Sequence, residues 1–148
     1  MLLDVGPKED GTLDERQEKI LLDLGSWIHD HEEAVYDTEK GLVYQQFLGG
    51  STLSKDKKTI YLFVYDKPTE ALCLKGVKTP VKKVSVLHTG QELEFTYTGS
   101  LPWSGIPGTC WIWAQNMDMH EYATVLKVEL EGEITYNLGH GEVVTNND

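Results

Sequence analysis

The chain has 148 residues, 24 acidic against 13 basic, a formal charge of -11 and 40% hydrophobic residues. That length suits one or one-and-a-half small domains, and the apolar fraction is sufficient for a core, unlike that of a disordered chain. A pI near 4.8 argues against a general nucleic-acid binder, no apolar run reaches the roughly 20 residues of a membrane helix, and no repeat of about 20–50 residues recurs.

The charge is unevenly spread. Residues 1–48 sum to -8, residues 49–91 to +5 and residues 92–148 to -8. A basic strip, Lys55 to Lys83, therefore lies between two acidic segments. It reads most simply as a solvated face, and more sharply as a patch that steers an anionic ligand. Cys73 and Cys110 are too few for a disulfide scaffold, which leaves one bridge or two buried thiols.

In chain order, Leu2, Leu3 and Val5 form a short apolar run ended by Gly6-Pro7, as in a buried strand entering a turn. The same stretch lacks the basic region and long apolar core of a secretion signal. Thr12 to Glu15 has the spacing of a capping box, with Thr12 as cap and Glu15 reaching back. Leu13, Ile20, Leu21, Leu24, Trp27 and Ile28 recur at helical spacing, which predicts a helix from about residue 13 to about residue 30. Gly25 inside it costs on the order of 1 kcal/mol relative to Ala, which close packing against a neighbour would explain.

Beyond residue 40 the period becomes two. The expected strands are Leu42–Leu48, Thr59–Tyr65, Ala71–Leu74, Val84–Leu87, Leu93–Tyr97, Thr109–Ala114, Tyr122–Leu130 and Ile134–Tyr136. Thr59–Tyr65 is the strongest, nearly all β-branched or aromatic and apolar on both faces, as a central strand is. Turn signals separate the strands at Lys55–Lys58, Thr89-Gly90 and Glu131-Gly132. Such spacing predicts a mainly β chain, an antiparallel β-sandwich of about seven or eight strands. The tail Thr145–Asp148 reads as disordered.

Several separated motifs resemble α-L-fucosidases of glycoside hydrolase family 29. They are Leu2-Leu3-Asp4-Val5-Gly6-Pro7, Asp10-Gly11-Thr12, Leu24-Gly25-Ser26-Trp27 and Glu33-Ala34-Val35-Tyr36, in the order and spacing of the end of that family's catalytic barrel. Tyr61–Pro68 resembles the family's C-terminal sandwich, and Lys82-Lys83-Val84 with Gly90–Leu93 its next hairpin. Asp37-Thr38 stands where Gly-Thr is usual, and His31 where Gly or Asn is usual. Trp103 to Tyr122 is longer and more aromatic than the family pattern.

The resemblance implies a (β/α)8-like barrel followed by a sandwich. Residues 1–40 would be the last β/α unit, one strand and one amphipathic helix left over from the barrel, and residues 41–148 the sandwich domain. It also implies retaining hydrolysis of α-L-fucosides from glycans, with two carboxylates roughly 5–5.5 Å apart. None of the 24 acidic residues falls where the family has them, so the expectation is no catalytic residue and no cofactor in this chain. Asp4 then reads as a polar barrel residue. The expected partners are fucosylated glycans, through the whole enzyme, and the catalytic barrel. Members are often periplasmic, secreted or lysosomal, and the compartment of this one is open.

Three side-chain groups bear on function directly. Trp111 and Trp113 share one strand face, and Trp103 lies in a loop. Buried, they would be core; exposed, they would offer sugars an apolar platform and make the chain a non-catalytic carbohydrate-binding module. Leu2, Leu3, Ile20, Leu21 and Leu24 would drive self-association if uncovered. His29 and His31 do not face one another on a helix, and Met117–His120 offers too few ligands, so no metal site is expected.

Overall fold

The computed structural model describes residues 4–101, 103 and 105–137. Helix α1 spans Glu15–Asp30 and a single turn, α2, spans Glu32–Val35. Eight strands follow: β1 Thr38–Lys40, β2 Gly50–Ser54, β3 Thr59–Val64, β4 Leu72–Leu74, β5 Val81–Val86, β6 Phe95–Thr98, β7 Thr109–Ile112 and β8 Thr124–Leu130. They form two antiparallel sheets, ordered β1-β2-β3-β8-β5 and β4-β7-β6.

The two sheets enclose the main core. The five-stranded sheet contributes Ile60, Leu62 and Val64 from β3, Leu126 and Val128 from β8, and Val84 and Val86 from β5. Leu74, Cys110 and Ile112 face them from the three-stranded sheet. The third strand, β3, is buried on both faces, as its unbroken apolar run predicts: Ile60 and Leu62 point into the sandwich, and Tyr61 packs outward against Ala34 and Val125. The molecule thus has three layers, with a helical corner lying on the outer face of the larger sheet.

That corner is held at one end. The Trp27 indole donates to the Ala123 carbonyl at 2.8 Å and stacks on the His31 ring at 4.5 Å. Thr52 donates to the Ala34 carbonyl at 2.8 Å, and Lys127 reaches the Glu33 carboxylate at 2.8 Å. The rest of α1 has no fully buried residue, and Ile20 and Leu22 are more than 60% exposed.

Several local expectations need correction. Asp14, not Thr12, caps α1: its carboxylate accepts from the Arg16 amide, while Thr12 donates to Asp10 in a separate turn. Gly25 meets no neighbour, so close packing does not account for it. Leu2 and Leu3 lie outside the described residues, and Val5 is in no strand, since a lone segment has no ladder to join. Leu42–Leu48 is a turn, because the Gln46 side chain accepts from the Val43 amide and the Gln46 and Phe47 amides bond back to the Val43 carbonyl. Ile134–Tyr136 is no strand either; Tyr136 makes one isolated bridge to Val77. The tail Thr145–Asp148 lies outside the described residues.

Cys73 and Cys110 are free. Cys110 pairs with Leu74, and Cys73 pairs with Trp111. The alternation of β4 and β7 therefore sets the two thiols on opposite faces of one sheet, which rules out the bridge.

Candidate functional site

An apolar cleft of about 450 Å³ lies between α1 and the sandwich, lined by Ile20, Leu24, Trp27, Tyr65 and Tyr122. The candidate tryptophans Trp111 and Trp113 lie instead on the face of the smaller sheet that points away from the core. On β7, Cys110 and Ile112 point inward, so Trp111 and, in the same phase, Trp113 point outward. On β6, Thr96 and Thr98 share that outer face, with Thr96 opposite Trp111. The Trp111 indole N–H donates to the Thr98 hydroxyl at 2.7 Å, and that of Trp113 donates to Thr96 at 3.3 Å. Each donor is used within the sheet, so what remains for a ligand is ring face.

Trp113 is 47% exposed and Trp111 half-buried. Together they border a cleft of about 450 Å³ whose rim carries Thr69, Glu70 and Gln115. On its other side Trp113 borders a second cleft of about 360 Å³, with Glu92, Glu94 and Asn116. Flat apolar rings beside carboxylate, amide and hydroxyl groups can take the C–H faces and the hydroxyls of a sugar together. Glu70 is the one acid lining the Trp111–Trp113 cleft, whereas glycoside hydrolysis needs two. The surface thus presents ring faces with carboxylate, amide and hydroxyl groups at its rim, and the adjoining cleft adds Glu92 and Glu94.

Trp103 is 84% exposed, in the connection between β6 and β7 that Leu101 and Ile106 pin with a pair of backbone bonds. It does not line the Trp111–Trp113 cleft, so the structure brings together two of the three candidate tryptophans. The hydroxyls of Thr96 and Thr98 had a signal in the sequence: they alternate with Phe95 and Tyr97, which occupy the opposite face. Glu70 and Gln115 had none, because they reach the cleft from loops.

Among the described residues, no group of three His, Cys, Asp or Glu side chains is placed to hold a metal ion. His29 points out and pairs with Glu32 at 3.1 Å, while His31 is fully buried. No helix among the described residues is long and apolar enough to cross a membrane.

No protein-family model and no curated protein matches the chain in sequence. Solved structures do match. The α-L-fucosidase from Vibrio sp. strain EJY3 superposes at a TM-score of 0.76, with 22% identity over 91% of this chain and 24% of its own. The α-L-fucosidase isoenzyme 1 from Paenibacillus thiaminolyticus gives 0.69 at 20% identity, over 88% of this chain and 30% of its own. This is the fold of part of an α-L-fucosidase. A family 29 α-L-fucosidase from Bacteroides thetaiotaomicron gives 0.67 at 20% identity, over 87% of this chain and 28% of that one. The chain spans less than a third of the length of each α-L-fucosidase it matches. A mainly β sandwich with one long helix is thus a recurrent piece of these larger enzymes.

Proposed function

We propose that this chain is the C-terminal part of a family 29 α-L-fucosidase, in which residues 1–40 complete the catalytic barrel and the sandwich supports it. The observation that carries this reading is α1. It is sixteen residues long and has no fully buried residue: of its apolar stripe Ile20 is exposed and Leu21, Leu24, Trp27 and Ile28 are only partly buried, as expected of a helix whose apolar stripe belongs in part against the rest of a barrel. The motif order of residues 2–36 and the match to part of several α-L-fucosidases support the same reading. On it, the two catalytic carboxylates belong to the barrel, and this chain alone is inactive. Purified 148-residue chain and a full-length α-L-fucosidase are compared on an aryl α-L-fucoside. Turnover by the full-length control alone is the expected result. Turnover by the short chain would mean that its own carboxylates form a working pair, and the assignment would fail. Uncovered, Ile20, Leu21 and Leu24 would pair two copies, which sedimentation velocity would register as a dimer lost in Ile20→Glu.

A second reading has its own support. Trp111 and Trp113 lie on the side of the sandwich opposite the helical corner, hence away from where a barrel would sit, and Trp113 is exposed. A non-catalytic glycan contact there would hold fucosylated substrate near the enzyme. Titration with a fucosylated oligosaccharide should change tryptophan emission in the wild type and not in Trp113→Ala. Equal responses would remove Trp113 from the site.

A further inference from the structure

Three histidines from distant parts of the chain meet under the helical corner. His31 is the residue between α1 and α2, His88 follows β5, and His120 precedes β8. Their ring centroids lie 5.6 Å (His31–His88), 5.3 Å (His31–His120) and 5.3 Å (His88–His120) apart. His31 is fully buried.

Hydrogen bonding fixes how two of the neutral rings, His31 and His120, carry their protons. His31 Nδ1 lies 2.8 Å from the Trp27 carbonyl, which only accepts, so Nδ1 bears the hydrogen and Nε2 keeps its lone pair. That Nε2 is buried without a partner, as is Nδ1 of His88. His120 Nδ1 accepts from the Tyr122 amide at 3.3 Å, which leaves its hydrogen on Nε2, 4.0 Å from the Asp30 carboxylate. A proton added to His31 would enter at Nε2, where no acceptor waits.

We propose that the His31–His88–His120 triangle is a proton-released clasp: uncharged, it seats the helical corner on the sandwich, and charging a second ring frees the corner. One charge can be answered by Asp30, which is half exposed beside His120. Asp118 is the other acid acting on the triangle, through His88. His29 and Glu32 pair with one another outside it. Asp118 is exposed and makes no ion pair with the rings, so water screens its pull, whereas two charged rings in direct contact oppose each other strongly.

Burial first, then the neighbouring rings, holds His88 below the ordinary histidine value; burial also dominates for His31, against the pull of the Trp27 carbonyl and Asp30. Both rings therefore bind protons more readily once the corner has lifted. The clasp is intact above the free-histidine value of about 6.5, weakens as pH falls below it, and is fully penalised below the seated-state values, at about tenfold per unit of depression. This holds whether or not the chain belongs to a fucosidase.

Hydrogen exchange of the 148-residue chain, corrected for intrinsic rates, tests it at pH 7.5, 6 and 5. Protection of α1 amides should fall about tenfold relative to β3 and β8, and by less than about threefold in His88→Asn/His120→Asn. An equal fall in the variant, a fall shared by all three elements, or none in the wild type would overturn the clasp. Ring NMR titration of the wild type gives a check that needs no variant: His31 and His88 should titrate below about 6.5, and titration at or above it defeats the idea. Protection of α1 by added Zn²⁺, lost in the variant, would also overturn it, by making the triangle a metal site.

Discussion

Trp27→Phe should loosen the helical corner without touching the sandwich. The indole donates to the carbonyl of Ala123, a buried residue, at 2.8 Å and stacks on His31 at 4.5 Å with 21° between planes. Phenylalanine keeps a ring for the stack but has no donor. An ordinary internal hydrogen bond contributes about 0.5–1.5 kcal/mol, and stranding a buried acceptor costs about 1–3 kcal/mol. The corner can lift and let water reach the freed carbonyl, so the loss should settle near 1–2 kcal/mol. A loss of that size multiplies local opening by about 5–30. Native-state hydrogen exchange resolves it by element: α1 amides should speed up by that factor, while amides of β3 and β8 keep their rates. Unchanged α1 exchange would show that Trp27 does not hold the helix. An equal acceleration everywhere would show that corner and sandwich unfold as one unit, contrary to a helix without a single buried residue.

Four other outcomes follow. Leu126→Ala removes a fully buried side chain from β8, between Leu62 and Val86 on the flanking strands; urea unfolding should register a loss of about 3–5 kcal/mol, and a loss below about 1 would mean that the site collapses. Gly25→Ala meets no neighbour and should stabilise α1 by about 0.5–1 kcal/mol, read as greater helicity by circular dichroism. Gly41→Ala should fold poorly, because a Cβ there runs into the Ser51 carbonyl; a normal melting temperature would refute this. Burial pushes the Cys110 thiol up to about 11 and raises that of Cys73 as well. At pH 8 Cys110 should resist an alkylating reagent until urea is added, while the partly buried Cys73 reacts first, and rapid native labelling of Cys110 would contradict its burial.

The sandwich was legible wherever one residue pattern had one structural outcome. Thr59–Tyr65 is nearly all β-branched or aromatic, and its Thr59–Val64 part became the strand that both faces cover. The outward phase of Trp111 and Trp113 followed from a period of two. Reading failed where side chains compete with the backbone. Leu42–Leu48 has strand composition, but the Gln46 amide oxygen captures the Val43 N–H and bends the chain. Asp14 outbid Thr12 as cap because Asp10 had already engaged Thr12. Two strands, β1 and β2, were not anticipated: Thr38–Lys40 and Gly50–Ser54 are short and polar, and pairing with β3 and with each other makes them strands. The histidine triangle was invisible because its members lie 57 and 32 positions apart in the chain and no local spacing links them.

The order of the larger sheet has a consequence for synthesis. β8 lies between β3 and β5, with Thr59 paired to Glu129 and Val86 to Leu126. A growing chain therefore cannot close this sheet until residue 130 has left the ribosome, and β3 must wait for a partner 60 to 70 positions downstream. During that interval β3, the most apolar strand, is open along one edge, a template for pairing with another chain. A stop codon shortly before Thr124 would make the interval permanent and turn a folding delay into an aggregating product.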